Sequence, residues 1–349
     1  MKILESHPLL SHNTFATEAT AVYFIEVESE EEAATLSRDE YFRTLPFIAI
    51  GSGSNLLFLG DFKGAVLHYS GAGVTRLFEN DEEVILDVEG GKVWHELVME
   101  TVREGLWGLE NLALIPGECG PAGVQNIGAY GREIKDTLLA VRYVDLRTGE
   151  RRRLPAGECG YGYRHSVFKE EAMAHAFVTG IELRLSKRFS PELSYKGLTD
   201  LSAEEDLTPL KVAERVIEIR RQKLPDPESL PNAGSFFMNP FVPESDFLRL
   251  QALYPDIPHF KGNDGRVKIP AAWLIQECGL KGARRGNVGT YPLQPLVIVN
   301  YGGATAREIA DFSEYVVGSV REKFGIEISP EVRFVRSGAR RSILELPEP

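Results

Sequence analysis

Residues 108–131 place the strongest constraint on how this chain can fold. Glycine occupies positions 108, 117, 120, 123, 128 and 131, and proline occupies positions 116 and 121. A backbone so rich in glycine loses much entropy when it becomes ordered, so the segment is either a flexible linker or a loop that approaches a ligand closely. Apolar residues spread among the glycines favour the loop; they are Leu112, Leu114, Ile115, Val124 and Ile127.

A second glycine-containing turn, GSGSN at residues 51–55, follows the apolar strand candidate at 47–50. A Rossmann dinucleotide motif would need a third glycine at position 56, which is Leu56, and a helix instead of the strand-like sequence LLFLG. The Walker phosphate-binding pattern is absent as well. What remains is strand, turn and strand. The turn is either an ordinary hairpin turn or a nest of N–H groups and hydroxyls that binds an anion.

The composition limits the classes of protein to consider. A chain of 349 residues exceeds what one hydrophobic core usually organises, so we expect two or three domains. Hydrophobic residues make up 43% and charged residues 26%, which is typical of a soluble globular protein. The net charge of −12 argues against a nucleic-acid partner or an anionic-membrane surface, because both require basic patches. An anionic small substrate would need basic side chains gathered locally.

The sequence also predicts where the protein works. No apolar run approaches the ~18 residues that span a bilayer, and the N-terminus lacks the apolar core of a signal peptide. We therefore expect a cytoplasmic protein with no membrane insertion. Three distant cysteines, Cys119, Cys159 and Cys278, fit reduced thiols better than disulfides or a metal site. The histidines show no ligand spacing, so we expect no metal.

Local patterns predict an α+β fold with at least two domains. Pro209 after Thr208 starts one helix, and Thr305 with Glu308 forms a capping box at the start of another. Gly105 and Gly325 are helix stops, and the prolines within 225–231 indicate a domain boundary. Predicted strands are 47–50, 84–88, 141–145, 177–185, 296–300 and 326–335, the last broken by Pro330, and predicted helices are 30–37, 93–104, 208–222 and 271–277.

Three motifs in order carry a family resemblance. GSGSN at 51–55, LENLALIPG at 109–117 and QNIGAYG at 125–131 together resemble the FAD-binding half of the UDP-N-acetylenolpyruvoylglucosamine reductases. The resemblance extends from about Asn13 to Val335. It departs at Gly123, where the family usually has proline, and we expect the loop there to be more flexible.

The resemblance also assigns catalytic residues. GYGYRHSVFK at 160–169 matches the segment with the family's catalytic arginine, here Arg164, and NAGSFFMNP at 232–240 matches the one with its catalytic serine, here Ser235. ISPEVRFV at 328–335 carries the catalytic glutamate, here Glu331. Alone, these residues would be read as a surface ion pair, a turn residue and a solvated carboxylate. Their joint occurrence in this order favours the functional interpretation.

The resemblance implies the remaining site residues. SPELSYKGL at 190–198 resembles the longer branch of the family, in which a loop tyrosine, here Tyr195, closes over the substrate. Lys223 in KLPDP, Asn239 and Gln294 are the further substrate candidates, with the diphosphate nearest Tyr195 and Lys223. The implied FAD contacts are Gly51, Ser52, Gly53, Ser54, Asn55, Ile115, Pro116, Gly117, Gln125, Asn126, Gly128, Ala129 and Arg333.

The resemblance implies a fold and a reaction. The fold would be a two-subdomain FAD-binding domain of the vanillyl-alcohol-oxidase type plus a smaller substrate domain. Its parts would be 1–70 completed by 326–349, then 71–223, then 224–325. The protein would be a monomer that uses non-covalent FAD and NADPH to reduce the enolpyruvyl ether of a UDP-sugar in peptidoglycan synthesis. The rivals are another flavin oxidase or dehydrogenase of the same fold and a colourless nucleotide-sugar-binding protein.

The expected chemistry gives each catalytic residue a task. Hydride addition to the vinyl carbon places negative charge on the neighbouring carbon and its carboxylate. Arg164 would bind that carboxylate with its planar fork, and Glu331 would have to be protonated or share a proton in order to help. Ser235 would then donate a proton to the enolate carbon.

Overall fold

The computed structural model describes residues 1–262 and 264–337. Its N-terminal part is a four-stranded sheet in the order β1-β2-β5-β3, in which β2 and β3 both run parallel to β5. The fourth strand of this region, β4, lies outside that sheet. The elements are β1 (Lys2–Pro8), β2 (Thr20–Val27), α1 (Glu30–Leu36), β3 (Phe47–Ile50), β4 (Leu56–Phe58) and β5 (Phe62–Tyr69).

The middle part is a five-stranded antiparallel sheet in the order β11-β10-β12-β7-β6. Apolar side chains of α2, α3 and α4 pack with one set of its strand residues, while Val144 and Phe177 pack with α1 and the first sheet. The elements are β6 (Val74–Glu79), β7 (Glu83–Glu89), α2 (Trp94–Arg103), α3 (Cys119–Gln125), β8 (Gly128–Ala129), β9 (Arg132–Glu133), β10 (Leu138–Asp145), β11 (Glu150–Pro155), β12 (Ala176–Ser186) and α4 (Pro209–Lys223).

The C-terminal part contains two small antiparallel sheets covered by helices, and its last strand returns to the N-terminal part. That strand, β20 (Arg333–Val335), runs parallel to β4, with Arg333 opposite Leu56. The other elements are β13 (Asn232–Ser235), β14 (Phe241–Val242), α5 (Glu244–Leu253), β15 (Phe260–Lys261), β16 (Val267–Lys268), α6 (Ala271–Glu277), β17 (Arg284–Arg285), β18 (Val288–Thr290), β19 (Val297–Asn300) and α7 (Ala306–Phe324).

Short 3-10 helices connect many of these elements. They cover Leu10–His12, Phe42–Thr44, Glu110–Leu112, Ile134–Asp136, Ala156–Glu158, Val167–Lys169, Glu171–Met173 and Thr199–Ala203. Within residues 1–262 and 264–337, no helix is long and apolar enough to cross a bilayer. All three cysteines fall in this part of the chain, and none is bonded to another.

The α+β fold is confirmed, and most predicted helices and strands are present. Thr208 caps α4 by accepting a hydrogen bond from the Lys211 N–H, and Thr305 and Glu308 form the predicted capping box of α7. Gly325 ends α7 in the left-handed conformation, with φ of 67°. Glycine is favoured there because it has no Cβ to clash.

Two local predictions are wrong, and one of two open alternatives is excluded. Residues 51–55 are not an ordinary hairpin turn, because β3 and β4 pair with different partners, β5 and β20. The strand predicted at 326–335 is limited to Arg333–Val335, and Pro330 forms only an isolated antiparallel bridge with Phe237. Gly123 does not lie in a flexible loop. It is buried in α3, where a Cβ would come within 3.0 Å of Ile181 Cγ2.

The predicted domain boundaries at 70, 223 and 325 remain a prediction, and residues 338–349 of the predicted C-terminal segment lie outside the described residues. One hydrophobic cluster runs from Val84 to Val216. Another joins residues between Ala233 and Phe334 but also takes in Phe15 and Leu57 from the N-terminal part. The N-terminal and C-terminal parts therefore share a core.

Candidate active site

A cleft of about 850 Å³ lies where the three parts of the chain meet. The GSGSN turn and the second glycine-rich segment line it together with the turn that carries Arg164. The C-terminal part contributes β13, Asn239 and the segment around Glu331. Seventeen residues are expected to bind the cofactor or the substrate, apart from the three expected catalytic residues. Sixteen of the seventeen face the cleft, and Asn126 does not.

All sixteen of those residues line the cleft, as do Arg164, Ser235 and Glu331. Asn126 lies behind the loop instead. It is fully buried, and its side-chain amide donates to the Gly162 carbonyl oxygen at 2.8 Å and to Glu133 Oε2 at 3.2 Å. The hydrogen bond to Gly162 links the second glycine-rich segment to the turn that carries Arg164.

The GSGSN turn depends on its glycines. Gly53 has a φ of 67°, and a Cβ there would lie 2.0 Å from the His12 carbonyl oxygen. A Cβ on Gly51 would lie 2.7 Å from Pro121 Cγ and 2.9 Å from Glu118 Oε2. The two glycine-rich segments therefore approach each other more closely than side chains would allow, which leaves backbone N–H groups at the surface of the cleft.

The two hydroxyls of this turn already donate to protein acceptors. Ser52 Oγ donates to Glu118 Oε1 at 2.9 Å, and Ser54 Oγ donates to the Pro116 carbonyl oxygen at 3.4 Å. Each hydroxyl has one proton, so in this arrangement both hydroxyls are already engaged with protein acceptors. Asn55 Nδ2 lies 3.4 Å from the Glu331 carbonyl oxygen, which links the turn to the C-terminal segment.

Glu118 is a site residue that the sequence analysis missed. It is buried, and both of its carboxylate oxygens lie 3.2 Å from His68 Nε2. Burial alone would lower the pKa of His68, but the hydrogen bond and charge of Glu118 outweigh it and raise that pKa above its ordinary value. The imidazole therefore balances a negative charge that would otherwise oppose an anion in the cleft.

Arg164, Glu331 and Gln125 form one network. Arg164 Nε lies 3.1 Å from Glu331 Oε1, and Gln125 Nε2 donates to the same oxygen at 3.0 Å. Arg164 Nη2 also donates to the Gly128 carbonyl oxygen at 2.7 Å. A guanidinium has five N–H donors, so N–H groups remain on its two terminal nitrogens for a ligand carboxylate.

Ser235 is exposed to the cleft at the end of β13. Its hydroxyl makes no hydrogen bond to any residue of the described chain, so its proton is free for a ligand. The next residue, Phe236, accepts a hydrogen bond from the Glu331 N–H at 2.7 Å. The fold thus brings together two expected catalytic residues that are far apart in the sequence.

The four expected substrate residues lie around the cleft in different settings. Tyr195 is 45% exposed, and its ring packs edge-on against Tyr130 with centroids 5.0 Å apart. Lys223 ends α4 and is exposed. Asn239 donates to the Tyr163 hydroxyl at 3.3 Å and accepts from the Ala271 N–H at 2.9 Å, and Gln294 Oε1 accepts from the Leu296 N–H at 3.4 Å.

Basic side chains gather in this cleft although the whole chain is acidic. Arg220 Nε, Arg132 Nε and Arg333 Nη2 are buried and have no hydrogen-bond partner. Burial lowers the pKa of Arg220 and of Arg333. Buried donors without acceptors are costly, so these groups indicate that an anion occupies the cleft in the working protein.

Several lining residues had no signal in the sequence. Tyr163 and Lys169 stand in the same motif as Arg164, which is the one hint that the sequence offers. Lys268 and Arg220 lie in segments without a motif, and only their position beside the cleft reveals them. No set of three or more His, Cys, Asp or Glu side chains in the described ranges is arranged to hold a metal ion.

The residues present fit FAD. A long dinucleotide with a pyrophosphate needs closely approaching backbone and positive charge. Gly51 and Gly53 allow the close approach of the backbone, and Arg333, whose Nη2 atom has no hydrogen-bond partner, supplies the positive charge. No histidine or cysteine is among the described residues that line the cleft, and Cys119, next to the lining residue Glu118, is fully buried, which raises its pKa.

Comparison with known proteins gives a consistent result. Residues 21–155 match the family model for an FAD binding domain, and residues 226–335 match the model for the C-terminal domain of UDP-N-acetylenolpyruvoylglucosamine reductase. The chain is 43% identical over 337 residues to the UDP-N-acetylenolpyruvoylglucosamine reductase of Porphyromonas gingivalis (strain ATCC 33277), an alignment that covers 96% of this chain and 100% of that one.

Two further relatives agree. The corresponding reductase of Bacteroides fragilis (strain YCH46) is 43% identical over 332 residues, which cover 95% of this chain and 99% of that one. The crystal structure of the Thermus caldophilus reductase is similar to this structure with a TM-score of 0.64 and 25% sequence identity, covering 95% of this chain and 98% of that one.

Proposed function

The chain belongs to the UDP-N-acetylenolpyruvoylglucosamine reductase family, and we propose that Arg164, Ser235 and Glu331 are its catalytic residues. The enzyme reduces the enolpyruvyl ether of UDP-N-acetylglucosamine enolpyruvate to UDP-N-acetylmuramate, in peptidoglycan precursor synthesis. It uses FAD and takes its reducing equivalents from NADPH. Bound FAD supplies a hydride carrier between NADPH and the vinyl carbon of the substrate.

Arg164 binds the substrate carboxylate in this proposal. Its terminal nitrogens keep N–H groups free while Nε is held by Glu331 and Nη2 by the Gly128 carbonyl oxygen. The guanidinium is therefore oriented before the substrate arrives. A fixed positive charge is most effective where negative charge develops, on the carbon and carboxylate that form the enolate.

Glu331 orients Arg164 and contacts the substrate carboxylate through a shared proton. Its Oε1 atom accepts hydrogen bonds from Arg164 and Gln125, and neither of these contacts engages Oε2. Two carboxylates can lie side by side only if a proton is shared between them. The shared proton would be taken up from solvent when the complex forms.

Ser235 donates a proton to the enolate carbon. The observation that carries this role is its exposed hydroxyl beside Glu331, held by the hydrogen bond between the Glu331 N–H and the Phe236 carbonyl oxygen. General acids must lie within hydrogen-bond reach of the atom that they protonate. A serine is a weak acid, so its proton must be replaced from water or from a neighbouring group.

The diphosphate of the UDP-sugar binds between Tyr195 and Lys223. Both line the same cleft as Arg220, and Tyr130 supports the Tyr195 ring. We propose that residues 190–198 are the tyrosine loop of the longer branch of the family, which closes over the substrate. Asn239 and Gln294 complete the contacts to the sugar.

We further propose that FAD is bound without a covalent link and that residues 51–55, 115–117, 125, 128, 129 and 333 contact it. The protein is proposed to be a cytoplasmic monomer without nucleic-acid partners. The net charge of −12 and the supply of NADPH and UDP-sugars in the cytoplasm support this. Through the cell-wall precursor that it makes, the enzyme is also proposed to serve cell shape and cell division.

One experiment tests the function directly. Purified protein is mixed anaerobically with NADPH and UDP-N-acetylglucosamine enolpyruvate, and NADPH absorbance and product mass are followed. We expect NADPH to be consumed in step with formation of UDP-N-acetylmuramate. Peroxide formation in air without any need for the UDP-sugar, and no product, would instead show a flavin oxidase.

A further inference from the structure

The turn that carries Arg164 is strained. The Gly162 N–H donates to the His165 carbonyl oxygen at 3.1 Å, and the His165 N–H donates back to Gly162 at 3.2 Å, so Tyr163 and Arg164 form the tip. Arg164 has a φ of 56°, in the left-handed region. That region is unfavourable for a residue with a side chain, so surrounding contacts must hold Arg164 there.

Lys169 supplies one such contact. Its Nζ atom donates to the Arg164 carbonyl oxygen at 2.6 Å, and its side chain lines the cleft. The 3-10 helix Val167–Lys169 that carries it is anchored by the burial of its middle residue and by a hydrogen bond of the residue before it. Phe168 is fully buried, and Ser166 Oγ donates to the Val124 carbonyl oxygen at 2.7 Å. Lys169 therefore reaches Arg164 from a rigid base.

The ammonium group of Lys169 also belongs to the charge network of the cleft. Three charged groups face it, the carboxylate of Glu331 and the guanidinium groups of Arg164 and Arg333. Burial lowers the pKa of Lys169 to about 8; the two guanidinium groups act in the same direction, and Glu331 opposes them. The charge on Lys169 is therefore present at neutral pH and lost in mildly alkaline solution.

We propose that Lys169 is a positioning residue for the reduction of the enolpyruvyl ether: it holds the Arg164 turn in its left-handed conformation and places a further positive charge beside Glu331. The proposal rests on the proposed roles of Arg164 and Glu331 and extends them. A neutral amine still has N–H groups that can donate to the Arg164 carbonyl oxygen. Deprotonation therefore removes the charge and leaves the turn in place, which separates the two contributions.

A second lysine of the cleft serves as a matched control. Lys268 Nζ lies 5.4 Å from the Tyr163 ring centroid and 5.3 Å from that of Phe260, and it makes no hydrogen bond to the Arg164 backbone in the described structure. Lys187 is a control outside the cleft, where it pairs with Glu79. The slowing specific to Lys169 must not appear in Lys187→Met. Lys268 lies in the cleft itself, so Lys268→Met is compared with wild type only for its pH profile.

The test uses the holoenzyme and the variants Lys169→Met, Lys169→Arg, Lys268→Met and Lys187→Met. Bleaching of the flavin absorbance by NADPH and its recovery on addition of the UDP-sugar are timed separately, across about pH 6–10. Substrate binding is measured by calorimetry, and FAD content by absorbance. We expect Lys169→Met to slow the recovery about 10- to 100-fold, the loss typical of a misplaced catalytic group. Bleaching by NADPH and FAD content should stay near wild type.

The pH profile gives a readout that a merely structural role would not move. The wild-type recovery rate should fall as the pH rises through about 8. Lys169→Met should lack this fall, and Lys169→Arg should keep its rate to higher pH, because a guanidinium stays charged. Lys268→Met and Lys187→Met should keep the wild-type fall.

Four results would overturn the proposal. Two concern the rates of Lys169→Met: an unchanged recovery rate, or equal slowing of bleaching and recovery. Two concern the fall of the recovery rate near pH 8: its loss in Lys268→Met, or its persistence in Lys169→Arg. The pH profile of Lys169→Arg tests the proposal even if Lys169→Met does not fold. Failure of the proposed function looks different, because wild-type enzyme would then show no recovery with the UDP-sugar.

Discussion

Arg164 and Glu331 form an ion pair in which Nε and Oε1 are 3.1 Å apart, and both side chains are largely shielded from solvent. Arg164 comes from a turn between β11 and β12 of the five-stranded sheet, and Glu331 comes from the segment that leads into β20. Gln125, at the end of α3, donates to the same Glu331 oxygen. Three separate parts of the chain thus determine the geometry of one cationic group.

Glu331→Gln should slow the substrate-dependent step far more than the step with NADPH. The amide keeps the size of the side chain but cannot share a proton with the substrate carboxylate. No enolate forms when NADPH is oxidised, so that step should stay near the wild-type rate. Stopped-flow absorbance at the flavin band follows both steps. Equal slowing of the two would mean that Glu331 mainly supports the cofactor.

Ser235→Ala should remove protonation of the enolate and little else. A placed general acid typically contributes about 10²–10⁴-fold to the rate of a step. A neutral hydroxyl contributes only about 0.5–1.5 kcal/mol to binding, so the affinity for the UDP-sugar should change little. Rates of the two steps and substrate affinity are measured side by side.

Ser235→Cys is the matched variant, because a thiol can also donate a proton and should recover part of the loss. In deuterated water, the wild-type product should carry deuterium at the ether-bearing carbon. Ser202→Ala, at an exposed serine outside the cleft, should behave as wild type. Wild-type turnover by Ser235→Ala would show that Ser235 is a structural turn residue.

Tyr195→Phe should weaken substrate binding and leave the oxidation of NADPH intact. The ring contact with Tyr130 survives the change, and the hydroxyl alone is lost. A hydrogen bond to a charged phosphate is worth about 1–3 kcal/mol, or roughly tenfold to a hundredfold in affinity. Calorimetry with the UDP-sugar measures this, with Tyr41→Phe on the exposed surface as control. An unchanged KM with a collapsed kcat would contradict a binding role.

Gly53→Ala should reduce the FAD content of the purified protein. A Cβ would come within 2.0 Å of the His12 carbonyl oxygen at a φ of 67°, so the turn must rearrange. Absorbance gives the flavin per chain, and acid precipitation of wild-type protein should release all of it to the supernatant. Gly157→Ala is the control, because a Cβ there meets nothing within 4 Å. A full flavin complement in Gly53→Ala would exclude a strict need for the turn.

His68→Gln should lower stability most at acid pH. The pKa of His68 is raised in the folded protein above its ordinary value of 6.5, so its charged pair with Glu118 stabilises the fold below that pH. The contribution is lost as the pH rises through the raised value. Denaturant unfolding of both proteins at several pH values tests this, with His259→Gln as control. A difference in unfolding free energy that grows with pH would contradict the pairing.

Short-range signals in the sequence were enough to predict the fold class and most elements. Thr208 with Pro209, and Thr305 with Glu308, mark helix starts because capping depends on neighbours only three residues away. The helix at Cys119–Gln125 escaped prediction because its glycines and Pro121 are poor helix formers, and tertiary packing of α3 on β12 outweighs that propensity.

The site was harder to predict than the fold. The motifs indicated Arg164, Ser235 and Glu331 through a family resemblance, but nothing local indicates that Glu118 meets Ser52 or that Lys169 reaches the Arg164 carbonyl oxygen. The pairing of β4 with β20 joins opposite ends of the chain, so no pattern around residues 51–55 could reveal it. Contacts of this kind depend on the whole topology.

The pairing of β4 with β20 has a consequence for how the enzyme matures during translation. The GSGSN turn leaves the ribosome well before Glu331 and Arg333, which complete its surroundings, because Glu331 follows Asn55 by 276 residues. A nascent chain therefore carries half of the flavin site until those residues have been made. Cofactor loading must wait until the C-terminal strand has emerged, and a chain that stops short of β20 should leave the ribosome as a colourless product.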